Sequence, residues 1–267
     1  MTNNDRDDQI PIEPRPPLHP PRVHTMSMGH IPLTFLVTGS ASFIYAVAFG
    51  LGNAPPTASM IILIILLVLS ALAPKSRTSA KITDEGPAFA RTLTTGTRFT
   101  LVRVAITCLL GGLAILPTAS DQPTAVLWSL VVFGMGAALL ETSDNWLARI
   151  TGSRSLYSDR LSNMTGAFFS LILALLPMQL GLIDNWVIAA GVLGFADVAL
   201  SQRGAKGETP LWQIWGRLLA RGLMLAILVP LSPDWTPPVL AGLASLILFY
   251  HVVLALQTQK DPAKPQN

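Results

Sequence analysis

Glu141-Thr142-Ser143-Asp144-Asn145-Trp146-Leu147-Ala148-Arg149-Ile150-Thr151-Gly152-Ser153-Arg154-Ser155-Leu156-Tyr157-Ser158-Asp159-Arg160-Leu161-Ser162-Asn163-Met164-Thr165-Gly166 lies between two apolar runs and opens with acids at the end of the first. Carboxylates at the edge of a hydrocarbon layer are costly, which makes them candidates for a functional site. Glu141, Asp144, Asn145 and Ala148 follow one another at intervals of three and four, so on a helix they share a face. Two acids on that face could hold a hard divalent ion such as Mg2+ or Mn2+, which takes oxygen ligands. The alternative is a membrane helix whose polar end meets water, and the spacing leaves both readings open.

Working outward, 51% of the 267 residues are hydrophobic and 12% are charged, whereas a soluble domain carries about 25% charged residues. This composition predicts an all-α, polytopic membrane bundle. Cys108 is the single cysteine, which excludes a disulfide framework or a cysteine-based metal site within one chain. Residues 1–30 hold six prolines and mixed charge without an apolar run, and read as a disordered tail rather than a cleaved signal.

Apolar runs fall at Ile31–Leu51, Ala58–Leu72, Phe99–Leu116, Ala125–Leu140, Ala167–Leu182, Trp186–Leu200, Ile214–Leu231 and Val239–Leu256. Crossing a bilayer takes about 20 residues, and polar flanks complete the shorter runs, giving about eight transmembrane helices. With the N-terminus inside, the outer connections are Gly52–Thr57, Pro117–Thr124, Ile183–Asn185 and Ser232–Pro238. None contains Lys or Arg, and all 18 basic residues fall on the inner side. The positive-inside bias therefore predicts both termini in the cytoplasm. The basic pI reflects these inner loops and not a nucleic-acid surface.

The polar segment 75–96, with the turn signal Asp84-Glu85-Gly86-Pro87, separates two N-terminal helices (31–74) from six that follow (97–256), and residues 257–267 form a second tail. Thr97-Arg98-Phe99-Thr100-Leu101-Val102-Arg103 opens the third run. Its arginines sit about where lipid head groups lie, either as snorkelling side chains or as topogenic charge.

These residues resemble the CDP-alcohol phosphatidyltransferases, integral membrane enzymes with six helices. The family signature is Asp-x-x-Asp-Gly-x-x-Ala-Arg, eight residues, then Gly-x-x-x-Asp-x-x-x-Asp. Here Glu141 stands at the first acid, Asp144 at the second, Asn145 at the glycine, and Ala148 and Arg149 at the Ala-Arg pair. After the same eight residues Ser158 replaces the second glycine, and Ser162 and Gly166 replace the last two aspartates. Thr97–Arg103 is similar to the family's Asn-x-Leu-Thr-x-x-Arg entry, keeping Thr100 and Arg103. The resemblance covers about Thr97 to Leu256 and leaves the first two helices as an addition.

The resemblance implies a cytoplasm-facing cleft in a bacterial inner membrane, where a substituted phosphate passes from a CDP-linked donor to an alcohol in phospholipid synthesis. It implies a Mg2+ or Mn2+ site at Glu141 and Asp144, and a substrate surface at Thr100, Arg103, Asp144, Asn145, Ala148 and Arg149. Membrane lipids would be its partners, and a homodimer or a heterodimer with a paralogue its assembly. Such metals would neutralise charge on the transferring group while a base activates the acceptor. The family's base position is Gly166, which has no side chain. Asp159 is a weak substitute, on a helical face about 60° away. Ser162 offers a neutral hydroxyl in place of a ligand, and Asn145 and Ser158 fill space that glycine leaves for the donor. The alternative is therefore a catalytically inactive relative that binds lipid or pairs with an active paralogue.

Arg217 and Arg221, four residues apart in the seventh run, read either as a lipid-phosphate site or as topogenic charge. Asp197 falls in an apolar run close to its cytoplasmic end. His19, His24 and His30 receive no role. A transporter would want broken helices near the midplane, for which the sequence offers only Gly111-Gly112 and Gly134–Gly136.

Overall fold

The computed structural model describes residues 30–72, 95–116, 122–151, 156–204, 211–230, 233 and 235–260, with backbone alone at 30–31, 71–72, 95–97, 144–151, 156–160, 201–204, 211 and 258–260. The expected N-terminal tail, most of the 75–96 linker and the end of the C-terminal tail lie outside these residues. Each apolar run becomes one helix: α1 (His30–Phe49), α2 (Ala54–Leu72), α3 (Thr95–Leu113), α4 (Thr124–Thr151), α5 (Leu156–Gln179), α6 (Ile188–Gly204), α7 (Leu211–Ala226) and α8 (Thr236–Lys260). A single 3-10 turn, Asn185–Val187, leads into α6, and no strand occurs among the described residues. Four of the helices, α1, α4, α5 and α8, are long and apolar enough to cross a membrane, and α2 and α6 carry shorter apolar segments.

Helix ends depart from run ends where it matters most. The apolar segment of α4 stops at Ser143, but the helix continues to Thr151, 28 residues in all. At 1.5 Å per residue that is about 42 Å, against a hydrocarbon layer of about 30 Å. Likewise α5 begins at Leu156, eleven positions before its apolar run. The polar stretch between the fourth and fifth apolar runs, which the sequence places on the inner side, is therefore helical up to Thr151 and again from Leu156. Hydropathy marks where lipid could be, whereas a helix is set by its backbone hydrogen bonds and runs past the end of the apolar segment.

The core is largely apolar, but large apolar side chains also face outward while several charged and polar ones are enclosed. Leu36, Ile44, Val47, Val132, Trp215, Leu246 and Trp235 are each more than 60% exposed, while Arg103, Asp197, Thr100, Thr107 and His251 are buried. In α7 the periodicity is explicit: Gln213, Arg217 and Arg221 turn inward at four-residue steps, and Trp212, Trp215 and Leu219 turn outward. Apolar outer faces around a few enclosed, paired charges suit an apolar surrounding.

Helices α3 to α8 close a ring in which α3 packs on α4, α4 on α7, α7 on α8, α8 on α6, α6 on α5 and α5 on α3. Helices α1 and α2 lie outside it, α2 chiefly against α3. Tyr45 of α1 reaches the ring: its ring stacks near Phe49 and Phe133, and its hydroxyl bonds Ser129 Oγ of α4 at 2.5 Å.

The α2–α3 seam depends on Gly111 and Gly112. A Cβ on Gly112 would run into the Pro55 carbonyl and Ser59 of α2, so the backbones touch where only glycine fits, a common device of helix pairs in lipid. The Gly111-Gly112 pair is accounted for by packing. Gly112→Ala is expected to destabilise the protein by about 1–3 kcal/mol through overpacking. Gly136→Ala, with nothing within 4 Å of the added methyl, is expected to be neutral or to stabilise by up to about 1 kcal/mol. Thermal unfolding of the two variants in detergent tests this contrast.

Candidate functional site

The ring's interior at one level is polar, and all six ring helices contribute. From α3, Arg103 enters on the buried face one turn after Thr100, and both are essentially inaccessible. From α4 comes Glu141, the last acid before the helix leaves its apolar segment. From α5 come Ser162, Gly166, Phe169 and Ser170, and from α7 comes Arg221.

Glu141 lies between the two arginines. Arg221 Nη1 donates to Glu141 Oε2 at 2.5 Å, and Arg103 Nη2 stands 3.2 Å from the same oxygen. Each guanidinium is also fixed to α5. Arg103 donates through Nη1 to the Ser162 hydroxyl at 3.1 Å and through Nη2 to the Ser162 carbonyl at 2.6 Å. Arg221 Nη2 donates to the Gly166 carbonyl at 3.2 Å and to Ser170 Oγ at 3.4 Å, with its guanidinium carbon 5.5 Å from the centre of the Phe169 ring. Planar forks of N–H donors suit such bridging of carboxylate and carbonyl oxygens. Ring packing over Phe169 adds a cation–π contribution.

Gly166 makes room for this arrangement. A Cβ there would lie 3.0 Å from Arg103 Nη2 and 3.4 Å from each Glu141 carboxylate oxygen. The space that a side chain would need is thus filled by the ion pair itself. These residues do not fit the divalent ion implied at Glu141. Its Oε2 is engaged by two cations, Ser162 accepts a hydrogen bond where a charged ligand would be needed, and Gly166 has nothing to offer. Among the described residues no group of three His, Cys, Asp or Glu side chains converges. Asp144, Asn145, Ala148 and Arg149 lie on the helical extension of α4 and Asp159 on the first turn of α5, but their side chains lie outside the described residues.

A second cluster sits beside the first. Asp197 of α6 is held by Arg217 of α7 in a bidentate pair, with Nε at 2.5 Å from Oδ2 and Nη2 at 3.2 Å from Oδ1. Gln213 Nε2 approaches Oδ1 at 3.5 Å, and His251 Nδ1 of α8 stands 3.8 Å from Oδ2. Gly216 of α7 admits the His251 ring, which a Cβ would strike, and Trp212 meets that ring edge-on at 5.4 Å. Between the clusters lies a cavity of about 70 Å³ bordered by Glu141, Thr142, Ser162, Asn163, Arg217 and Arg221. That is room for a few waters and well below the 300–1,000 Å³ of a typical ligand pocket.

The structure therefore brings together Glu141, Ser162 and Gly166 of the 141–166 segment and Arg103 of the 97–103 segment, and adds Arg221. Arg217 and Arg221, read from sequence as topogenic charge or a lipid-phosphate site, are each committed to an internal carboxylate. Asp197, placed by sequence near the membrane boundary, is fully buried. Gln213, Ser170 and His251 were not singled out in the sequence. The inward four-residue spacing from Gln213 to Arg221, and a histidine alone in the apolar run of α8, were the available signals.

No protein-family model, no curated protein and no solved structure matches this chain. The geometry itself predicts the energetics. Glu141→Ala leaves two buried guanidinium groups without their carboxylate and is expected to cost about 3–5 kcal/mol. Combining it with Arg221→Met should cost less than the sum of the two single changes, since the partners act as a unit. Denaturation of the four proteins in mixed micelles reads this coupling directly.

Proposed function

We propose that this chain is a non-catalytic relative of the CDP-alcohol phosphatidyltransferases, a lipid-engaging protein of the bacterial inner membrane with eight transmembrane helices and both termini in the cytoplasm. The observation that carries the reading is the Arg103–Glu141–Arg221 cluster. It draws Glu141, Ser162 and Gly166 of the signature together with Arg103 of the entry segment at one junction of a six-helix ring, as a common site would require, but in a form that neutralises Glu141. Transfer from a CDP donor needs positive charge directed at the pyrophosphate and a base beside the acceptor hydroxyl. Here both guanidinium groups are turned to Glu141 and to α5, and the base position carries no side chain.

Support for the membrane setting comes from the apolar outward face of α7 and from the lack of any Lys or Arg in alternate connections of the sequence. The ring of α3 to α8, with α1 and α2 outside it, fits a six-helix unit carrying an N-terminal addition. The transferase itself is the second reading. What favours it is that Glu141 and Asp144 remain one turn apart on the unbroken α4.

The detergent-purified protein, given a CDP-linked lipid donor, Mn2+ and a panel of alcohol acceptors, is expected to release no CMP above a protein-free blank. Ser162→Asp/Gly166→Asp is expected to stay silent, because the added side chain at 166 meets Arg103 and Glu141. Turnover by the natural protein that Asp144→Ala abolishes would instead establish the transferase.

A further inference from the structure

We infer that Arg221 supplies, from within the chain, the positive charge that a divalent ion would otherwise supply at Glu141, so that the junction of α3, α4, α5 and α7 closes without metal. The inference rests on the proposed kinship with the phosphatidyltransferases, and concerns how the site is held rather than whether it turns over.

Three features of the geometry point to it. First, Arg221 is not a surface charge that happens to fall near an acid. It is 7% exposed, and its guanidinium is fixed by Glu141, the Gly166 carbonyl, Ser170 and the Phe169 ring face together. Its neighbour one turn earlier, Arg217, is already committed to Asp197, so α7 delivers one cation to each buried carboxylate.

Second, the two positions that depart most from the signature are those the arginines use. The Ser162 hydroxyl and carbonyl both accept from Arg103. At Gly166 the carbonyl accepts from Arg221, while the missing side chain leaves space for Arg103 and Glu141. An aspartate at either position would add a carboxylate to a junction whose acid is already paired.

Third, the electrostatics oppose an incoming ion. Arg103, Arg221 and Glu141 carry a formal charge of +1 between them, and a divalent ion would bring it to +3. Counting Asp144, one turn further along α4, the total would still be +2. Like charges within a few ångströms in a low-dielectric interior repel strongly, and Mg2+ or Mn2+ would also need several oxygen ligands that these residues do not present.

The test is a Mn2+ titration of the full-length protein in detergent, followed by the electron paramagnetic resonance signal of free Mn2+ and by melting temperature in EDTA against millimolar MnCl2. The natural protein is expected to take up no Mn2+ and to melt at the same temperature in both. Uptake, or a rise of several degrees, would overturn the inference whatever the variants do. Ser162→Asp/Gly166→Asp and Ser162→Asp/Gly166→Asp/Arg221→Gln are then compared. Removing Arg221 is expected to tighten Mn2+ binding by about tenfold or more, since one nearby positive charge is lost. Equal affinity in the two would also overturn it. CMP release measured on the same samples keeps the two ideas apart: Mn2+ uptake without turnover rejects the built-in cation and leaves the non-catalytic reading, and turnover without Mn2+ uptake does the reverse.

Discussion

Buried charge is the constraint on which this bundle depends. In a lipid setting apolar side chains gain little by leaving acyl chains for a protein interior, so helix association leans on close packing and on polar contacts between helices. Arg103, Glu141, Asp197, Arg217 and Arg221 all lie inside the ring of α3 to α8. None tolerates isolation there, because an unpaired ion in a low-dielectric interior carries a penalty of several kcal/mol. The helices are therefore held in the one arrangement that brings each carboxylate to its guanidinium. Glu141 links α4 to α3 and α7, Asp197 links α6 to α7, and both arginines of the first cluster anchor on carbonyls of α5. Helix α8 joins through His251, received by the gap at Gly216.

Helices α1 and α2 are organised by a different logic. Their outward faces carry Leu36, Phe43, Ile44, Ile61 and Val68, all exposed, and their inward contacts are steric rather than ionic. Ser59 and Ser70 satisfy themselves on carbonyls four residues back in α2, which leaves the seam with α3 to glycine and shape. Tyr45 makes a polar link to the ring, through Ser129. The charged junction is thus complete without the first two helices, whose removal would uncover α3 on one side without unpairing any of the described ions.

Much of the fold was legible in the sequence, because a long apolar run marks a helix whose backbone groups must bond within itself. Eight runs became eight helices in the described residues, in order. The helix ends were less legible: Glu141 to Thr151 continues α4 although its hydropathy falls, since the backbone needs its own hydrogen bonds more than its side chains need lipid. The site was legible in part. The spacing from Glu141 to Gly166, together with Arg103, picked out residues that do converge. What spacing could not give was the partner of each charge. Glu141 and Arg221 are 80 positions apart, and Asp197 and Arg217 are 20 apart. From sequence alone each arginine had a sufficient explanation in topogenic bias. Pairing is a property of which helices become neighbours, and the ring order in which α4 adjoins α7 is not written in any local pattern.

Ser162, Gly166 and Arg221 form a single physical unit with Arg103 and Glu141. An aspartate at 166 would have to share its space with Arg103 and Glu141, and a metal beside Arg221 would be repelled. Conversely, without Arg221 the Glu141 carboxylate would keep Arg103 alone as its partner beside the gap at Gly166. Each residue is unfavourable in the setting that suits the others' alternatives, so intermediate combinations should be less stable than either end state. Serine at 162 supports the same end state, since a hydroxyl accepts from Arg103 without adding charge. The direction of the guanidinium groups then follows from electrostatics: with one carboxylate and several helix carbonyls available inside the ring, they turn inward to those oxygens.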